Sequence, residues 1–348
     1  MADDDVPHET KLLPDPPTDG VTGLSYLPAA ASSSLLASTS WDGTVCLYDT
    51  EQHLRVLSHS AESGPLLSLA TPTKQNCVVT GGLDGSVRLL DIETSSLSTV
   101  GRHGSANTNG QDKVGVSCLA ALSDSDGSTL IASAAWDRQL HIWDIRQQTP
   151  ISTVALPGKA FSMDLDKHNQ RLAVACSGRR NCFIHVNGPE TAMVLERESS
   201  LKYQTRVIRY FPDGAAIALG SVEGRVAVEY LEELDQPTSG GKKYAFKCHR
   251  SGDLVFPVNC IAFHPRYGTF GTGGCDGTVA LWDGLNKKKL TTLPAFATSI
   301  SALAFSPDGT ELAIASSYTF EDGERAHPHD EIHVRKILDS ECRPKAKE

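Results

Sequence analysis

The sequence predicts an all-β chain closed into a seven-bladed propeller, and three observations carry that expectation. First, one ten-residue pattern returns six times, at Ser40–Asp49, Gly82–Asp91, Ala135–Asp144, Ser177–Val186, Ser221–Tyr230 and Gly274–Asp283. The third positions are Asp42, Asp84, Asp137, Arg179, Glu223 and Asp276, spaced by 42, 53, 42, 44 and 53 residues. Second, apolar residues alternate behind each third position, as in Val45 and Leu47 or Val279 and Leu281. That period of two marks a strand with one buried face. Third, further short apolar runs precede each pattern, so a unit of about 40–45 residues holds four strands.

The elements of a unit follow in order. A first strand is seen in Val258–Phe263. A second is seen in Leu35–Ala37, Cys77–Val79, Leu130–Ala132, Leu172–Val174, Ala216–Ala218 and Thr269–Phe270. Asp-Gly at Asp42, Asp84 and Asp276 is a tight turn whose glycine tolerates positive φ. The third strand closes on Trp143-Asp144 and Trp282-Asp283, with degenerate versions at Tyr48-Asp49 and Leu90-Asp91. Four strands per unit and a terminal Trp-Asp define a WD repeat. The seventh unit is partly disguised. Ile300–Phe305, Glu311–Ala315 and Ile332–Val334 supply three strands, and Thr10–Leu13 is expected to supply the fourth. Such closure protects sheet edges. The expected organisation is an acidic tail at 1–8, one propeller domain at 9–340 and a C-terminal tail at 341–348. Gly101–Lys113, Leu234–Lys242 and Tyr318–Asp330 read as loops, being rich in Gly, Ser, Asn and Asp.

Composition narrows the function classes. The 348 residues carry 32 Lys plus Arg against 42 Asp plus Glu, a formal charge of −10. That balance argues against a nucleic-acid coat or a polybasic membrane binder, and nucleic acid is not an expected partner. No apolar run reaches the roughly 20 residues that span a bilayer, and the acidic N-terminus has no signal-peptide h-region. Nine cysteines without a C-x-x-C pair read as reduced, mostly buried thiols of a cytosolic or nuclear protein.

Candidate chemistry is sparse. No nucleophile elbow, Walker loop, dinucleotide fingerprint or H-E-x-x-H occurs, so no enzyme and no cofactor are expected. Asp42, Asp84, Asp137 and Asp276 recur at one place in the repeat and are read as turn acceptors that support their blades. The cluster His327, His329, Asp330 and His333 matches no zinc spacing, and no metal site is expected. Between 202 and 250, eight bases (Lys202, Arg206, Arg209, Arg225, Lys242, Lys243, Lys247, Arg250) face six acids, a net of +2 against −12 elsewhere. Turns of neighbouring blades converge on one face, so Arg179, Arg206, Arg225 and Lys243 are candidates for an anion site; the alternative is a solvated surface with local pairs such as Arg225 with Glu223. Arg180 and the turn tryptophans Trp41 and Trp136 are candidates for the same partner face.

Several runs resemble one family: Glu196–Arg206, Glu223–Tyr230, Lys243–Arg250, Gly273–Gly277, Asn286–Lys288 and Leu312–Tyr318. They are similar to the WD-repeat spindle assembly checkpoint proteins of the budding-uninhibited-by-benzimidazole group. The nearest other group is the WD-repeat messenger-RNA export factor of the nuclear pore, which shares Glu-Gly-Arg-Val-Ala and Phe-Lys-Cys-His-Arg. The resemblance implies a scaffold that is monomeric on its own, nuclear, and at kinetochores in mitosis. It implies two partners: an acidic segment of the checkpoint kinase and its pseudokinase-like relative, and threonine-phosphorylated Met-Glu-Leu-Thr repeats of a kinetochore scaffold. It further implies that Arg225 and Lys243 contact phosphate and that Arg206 meets acidic side chains. The Gly101–Lys113 and Leu234–Gly241 stretches depart from the family.

Overall fold

The computed structural model describes residues 10–28, 34–73, 76–104, 114–123, 129–166, 168, 170–231 and 243–345. The 1–8 tail, the 234–242 loop, residues 105–113 and residues 346–348 lie outside them. Seven four-stranded antiparallel sheets form the blades: 21–60, 66–102, 116–155, 160–198, 205–247, 258–292, and 300–336 with 10–12. In the seventh blade the N-terminal strand Thr10–Leu12 lies outermost, with Thr10 opposite Arg335 and Leu12 opposite His333. A small hairpin, Arg250–Ser251 with Leu254–Val255, stands between blades 5 and 6.

The first strand of every blade packs on its counterparts in the two neighbouring blades, closing a ring around a central channel. Each of the seven carries a register shift at its second residue: Thr22, Leu67, Ser117, Phe161, Arg206, Asn259 and Ser301. Such bulges re-aim a side chain, here into the channel mouth. The core lies between the blades. Ala173, Phe183, Ile208 and Leu219 join blades 4 and 5, and Val226, Val228, Val258 and Phe270 join blades 5 and 6. Fully burying each Leu, Ile or Phe of such a seam is worth about 1.5–3 kcal/mol. All nine cysteines are buried and free.

The repeated turns are built as the residue types require. Asp42 accepts from Thr44 N at 2.8 Å and Thr44 Oγ1 at 2.6 Å, and Asp84 accepts from Ser86 N at 3.1 Å. The following residue has positive φ: Gly43 (81°), Gly85 (87°), Arg138 (64°), Arg179 (62°), Gly224 (60°) and Gly277 (71°). Its carbonyl accepts the amide that follows the outer strand, as in Ala61 N to Gly43 O and Ser199 N to Arg179 O. Arg179 therefore occupies the glycine place, and Gly178, not Arg179, stands where the other blades have Asp. The sequence alignment of that blade is off by one because the acidic landmark is missing.

Two blades carry a fuller network. His103 lies with Nδ1 3.1 Å from Asp137 Oδ2 and Nε2 2.6 Å from Ser133 Oγ, which accepts Trp143 Nε1–H at 2.7 Å. His249, Asp276, Thr272 and Trp282 repeat it in blade 6. Neither histidine stands out in sequence, since each lies in the link that precedes its blade.

One loop assignment changes and one holds. Gly101 and Arg102 end the outer strand Ser96–Arg102 of blade 2. A Cβ on Gly101 would lie 2.1 Å from Trp143 Cζ3, so only glycine lets that ring seat. The stretch from Tyr318 to Asp330 contains no strand and is ordered by Tyr318, whose hydroxyl donates to Gly323 O at 2.9 Å. Past the last blade a one-turn helix, Asp339–Cys342, brings Cys342 to 1% exposure between blades 6 and 7.

Candidate functional site: the turn face and the blade 5 rim

The turns between second and third strands share one face with the links between blades. Trp41, Tyr203, Val222, Leu254, Val255 and Phe320 are exposed there. The two turn tryptophans differ. Trp41 is 43% exposed, whereas Trp136 is partly buried and packs on Gly115. Arg179 and Arg180 are neutralised within their own blade. Arg179 pairs with Glu198 and donates to Lys202 O at 3.0 Å, and Arg180 Nε donates to Glu196 Oε1 at 2.6 Å.

Blade 5 departs from its neighbours. Glu223 stands in the Asp place, and its extra methylene moves the carboxylate away from the amide of residue 225. Its Oε2 instead lies 3.5 Å from Arg225 Nε, and its Oε1 is buried with no hydrogen-bond partner among the described residues. Gly224 makes the turn because a Cβ would meet Cys248 O at 2.8 Å. Arg250 braces the turn from outside, donating from Nη2 to Glu223 O at 2.7 Å and from Nε to Gly224 O at 3.3 Å.

Antiparallel pairing decides which lysine joins Arg225. Arg225 is opposite Lys247, and Lys243 is opposite Glu229. Side chains directly opposite on one face have Cβ atoms about 5 Å apart. Lys243 lies four residues down the blade, about 13 Å away at 3.3 Å per residue. The structure thus separates Lys243 from Arg225 and puts Lys247 beside it. Glu229, at the level of Lys243, forms an ion pair with Arg197 Nη2 at 2.7 Å and accepts from Ser200 N at 3.2 Å. Lys247 is exposed and Arg225 half-buried, and Lys247 has no carboxylate within ion-pair range among the described residues. Like charges held opposite one another cost stability, and a shared anion removes that cost.

Arg206 is placed elsewhere. It is the bulged residue of blade 5 and lines the channel mouth, a cavity of about 220 Å³ whose wall, among the described residues, holds Arg206 and Arg209 and no Asp or Glu. Arg209 is committed to the wall, its Nη1 donating to Ile208 O at 2.8 Å and Ser162 Oγ at 3.1 Å.

Two histidine groups are internal networks. His103, Asp137 and His141 bring ligand-type atoms within 4.8 Å of one another. Both His103 nitrogens are already used, as above, and His141 Nδ1 lies 2.8 Å from Thr153 Oγ1. Burial first, then the charge of His103, pushes His141 down to about 4. In the other group His327 packs on Tyr318 at 4.9 Å, and His333 Nε2 lies 2.9 Å from Glu331.

Seven four-stranded blades joined by tight turns make this chain a WD-repeat propeller. The WD domain, G-beta repeat, matches residues 10–49, 105–144, 240–283 and 287–323. The chain is 42% identical over 328 residues to the mitotic checkpoint protein bub3 of Dictyostelium discoideum, covering 93% of each chain. It is 39% identical over 354 residues to mitotic checkpoint protein BUB3.1 of Arabidopsis thaliana, covering 98% of this chain and 96% of the relative. It is also 33% identical over 342 residues to the Poly(A)+ RNA export protein of Schizosaccharomyces pombe, covering 95% and 92%. The chain belongs to the bub3 family of mitotic checkpoint WD-repeat proteins.

Proposed function

We propose that the protein is a non-catalytic adaptor of the spindle assembly checkpoint. It binds an acidic segment of the checkpoint kinases on the turn face, with Arg206 meeting a carboxylate. It reads threonine-phosphorylated repeats of a kinetochore scaffold at the blade 5 rim, bringing the kinases to unattached kinetochores from a nuclear pool. The observation that carries the reading is the cross-strand pair Arg225 and Lys247, two cations side by side on an exposed rim of an acidic protein. A phosphothreonine brings roughly −1.5 to −2 charge and three acceptor oxygens. The guanidinium fork takes two oxygens while the ammonium balances the remaining charge. The test is calorimetric titration with a Met-Glu-Leu-Thr peptide in phosphorylated and unphosphorylated forms. Arg225→Ala should remove most of the difference while the melting temperature stays. Equal affinity of the wild-type protein for both peptides sinks the proposal.

The likeness to the RNA export protein supports a second reading, nuclear-pore messenger-RNA export. It predicts steeply salt-dependent binding of single-stranded RNA, against which the −10 charge leans. Pull-downs from mitotic extract, with and without phosphatase, separate the two. Phosphatase-sensitive recovery of a kinetochore scaffold supports the first reading, and nucleoporins with RNA support the second.

A further inference from the structure

The bulged residues at the channel mouth divide into two groups. Three tie their blade to the next: Thr22 Oγ1 donates to Leu66 O at 2.8 Å, Ser117 Oγ to Ala160 O at 2.7 Å and Asn259 Nδ2 to Ile300 O at 2.9 Å. In blades 2, 4, 5 and 7 the same place holds Leu67, Phe161, Arg206 and Ser301, which make no such tie among the described residues. Phe161 is 38% exposed although it lines an axial channel. Arg206 is half-buried, with no carboxylate partner among the described residues and none in the wall it shares with Phe161. Among these four, Phe161 and Arg206 stand in neighbouring blades, so the mouth presents an aromatic ring and a cation side by side.

A cation alone takes any anion, and discrimination needs a second contact whose loss is felt. The need is sharper here because a chain of charge −10 repels an acidic segment at long range, so part of the binding must come from apolar burial. We infer that the channel mouth reads two adjacent features of one partner segment, a carboxylate on Arg206 and a branched or aromatic apolar side chain on Phe161. Phe161 is then the residue that separates an acidic segment with an apolar neighbour from one that is merely acidic. This rests on the acidic-segment reading above and names the sequence class that reading selects.

The experiment uses the full chain and three fluorescein-labelled peptides with Glu–Leu, Glu–Ala or Gln–Leu at the centre, followed by anisotropy. Wild type should bind the Glu–Leu peptide about tenfold tighter than either other peptide. Phe161→Ala should bring the Glu–Leu peptide to the Glu–Ala level and leave Glu–Ala unchanged. Arg206→Ala should weaken both Glu peptides and leave Gln–Leu unchanged. If Phe161→Ala weakens the Glu–Leu and Glu–Ala peptides equally, or neither, while Arg206→Ala weakens them, the apolar contact is overturned and the acidic reading stands. If Arg206→Ala changes nothing, the acidic reading falls and takes the inference with it. Should Phe161→Ala lower the melting temperature, Phe161→Leu against Phe161→Gln makes the same comparison: the Leu variant must keep the preference and the Gln variant lose it.

Discussion

His249 Nδ1 lies 2.9 Å from Asp276 Oδ1, and both side chains sit behind the turn that opens the third strand of blade 6. His249 Nε2 is 2.8 Å from Thr272 Oγ1, which accepts from Trp282 Nε1 at 3.0 Å. One proton arrangement satisfies all four groups: Trp282 donates to Thr272, Thr272 to Nε2, and Nδ1–H to Asp276. Burial pushes the Asp276 carboxyl up, but the His249 bond and charge and the Thr278 amide outweigh it and hold the group below its ordinary 3.8.

Removing Asp276 leaves the buried His249 N–H only the longer contact to Thr278 Oγ1, at 3.2 Å. Asp276→Ala should therefore lower stability by about 1–3 kcal/mol, read as a fall in melting temperature. An unchanged melting temperature would refute a supporting role for this aspartate. Because the native carboxyl titrates below its unfolded value, this contribution is present above about pH 4 and is lost as pH falls through the lowered value.

His141 gives the protein a second acid limb at higher pH. Its native value of about 4 lies below the ordinary 6.5, so the unfolded chain takes up the proton first. Stability from this group is complete above 6.5 and declines as pH drops toward 4. Between pH 7 and 5 the loss is at most about 2 kcal/mol. Urea unfolding at both pH values should show a smaller drop for His141→Gln than for wild type.

At the blade 5 rim, Lys247→Ala should cost the phosphorylated peptide about tenfold or more in affinity, and Lys243→Ala should leave it nearly unchanged. The reverse ranking would show that the phosphate sits at the other end of the outer strand.

Gly101→Ala drives a methyl into the Trp143 ring. Displacing that ring should destabilise by about 1–3 kcal/mol, seen as a lower denaturant midpoint at unchanged slope.

The strand alternation, the Asp-Gly turns and the two Trp-Asp closures were legible because each is a local signal. What stayed hidden was what depends on pairing between distant segments. His103 and Asp137 are 34 residues apart, and His249 and Asp276 are 27 apart. Lys243 looked like the partner of Arg225, but antiparallel register puts the last residue of an outer strand beside the first of its neighbour. Blade 4 lost its register in sequence because Gly178 stands in the aspartate place. The channel-mouth position of Arg206 follows from a bulge, and a bulge shows only in the pairing.

The last blade joins both ends of the chain, with Thr10 opposite Arg335 and Lys11 opposite Val334. That contact spans almost the whole sequence, and such pairings are slow to form. During synthesis the first strand emerges long before its mate exists, so Thr10–Leu12 must wait unpaired while six blades assemble. The ring can lock only after translation has passed Arg335, and until then the edge of blade 7 is open to other strands.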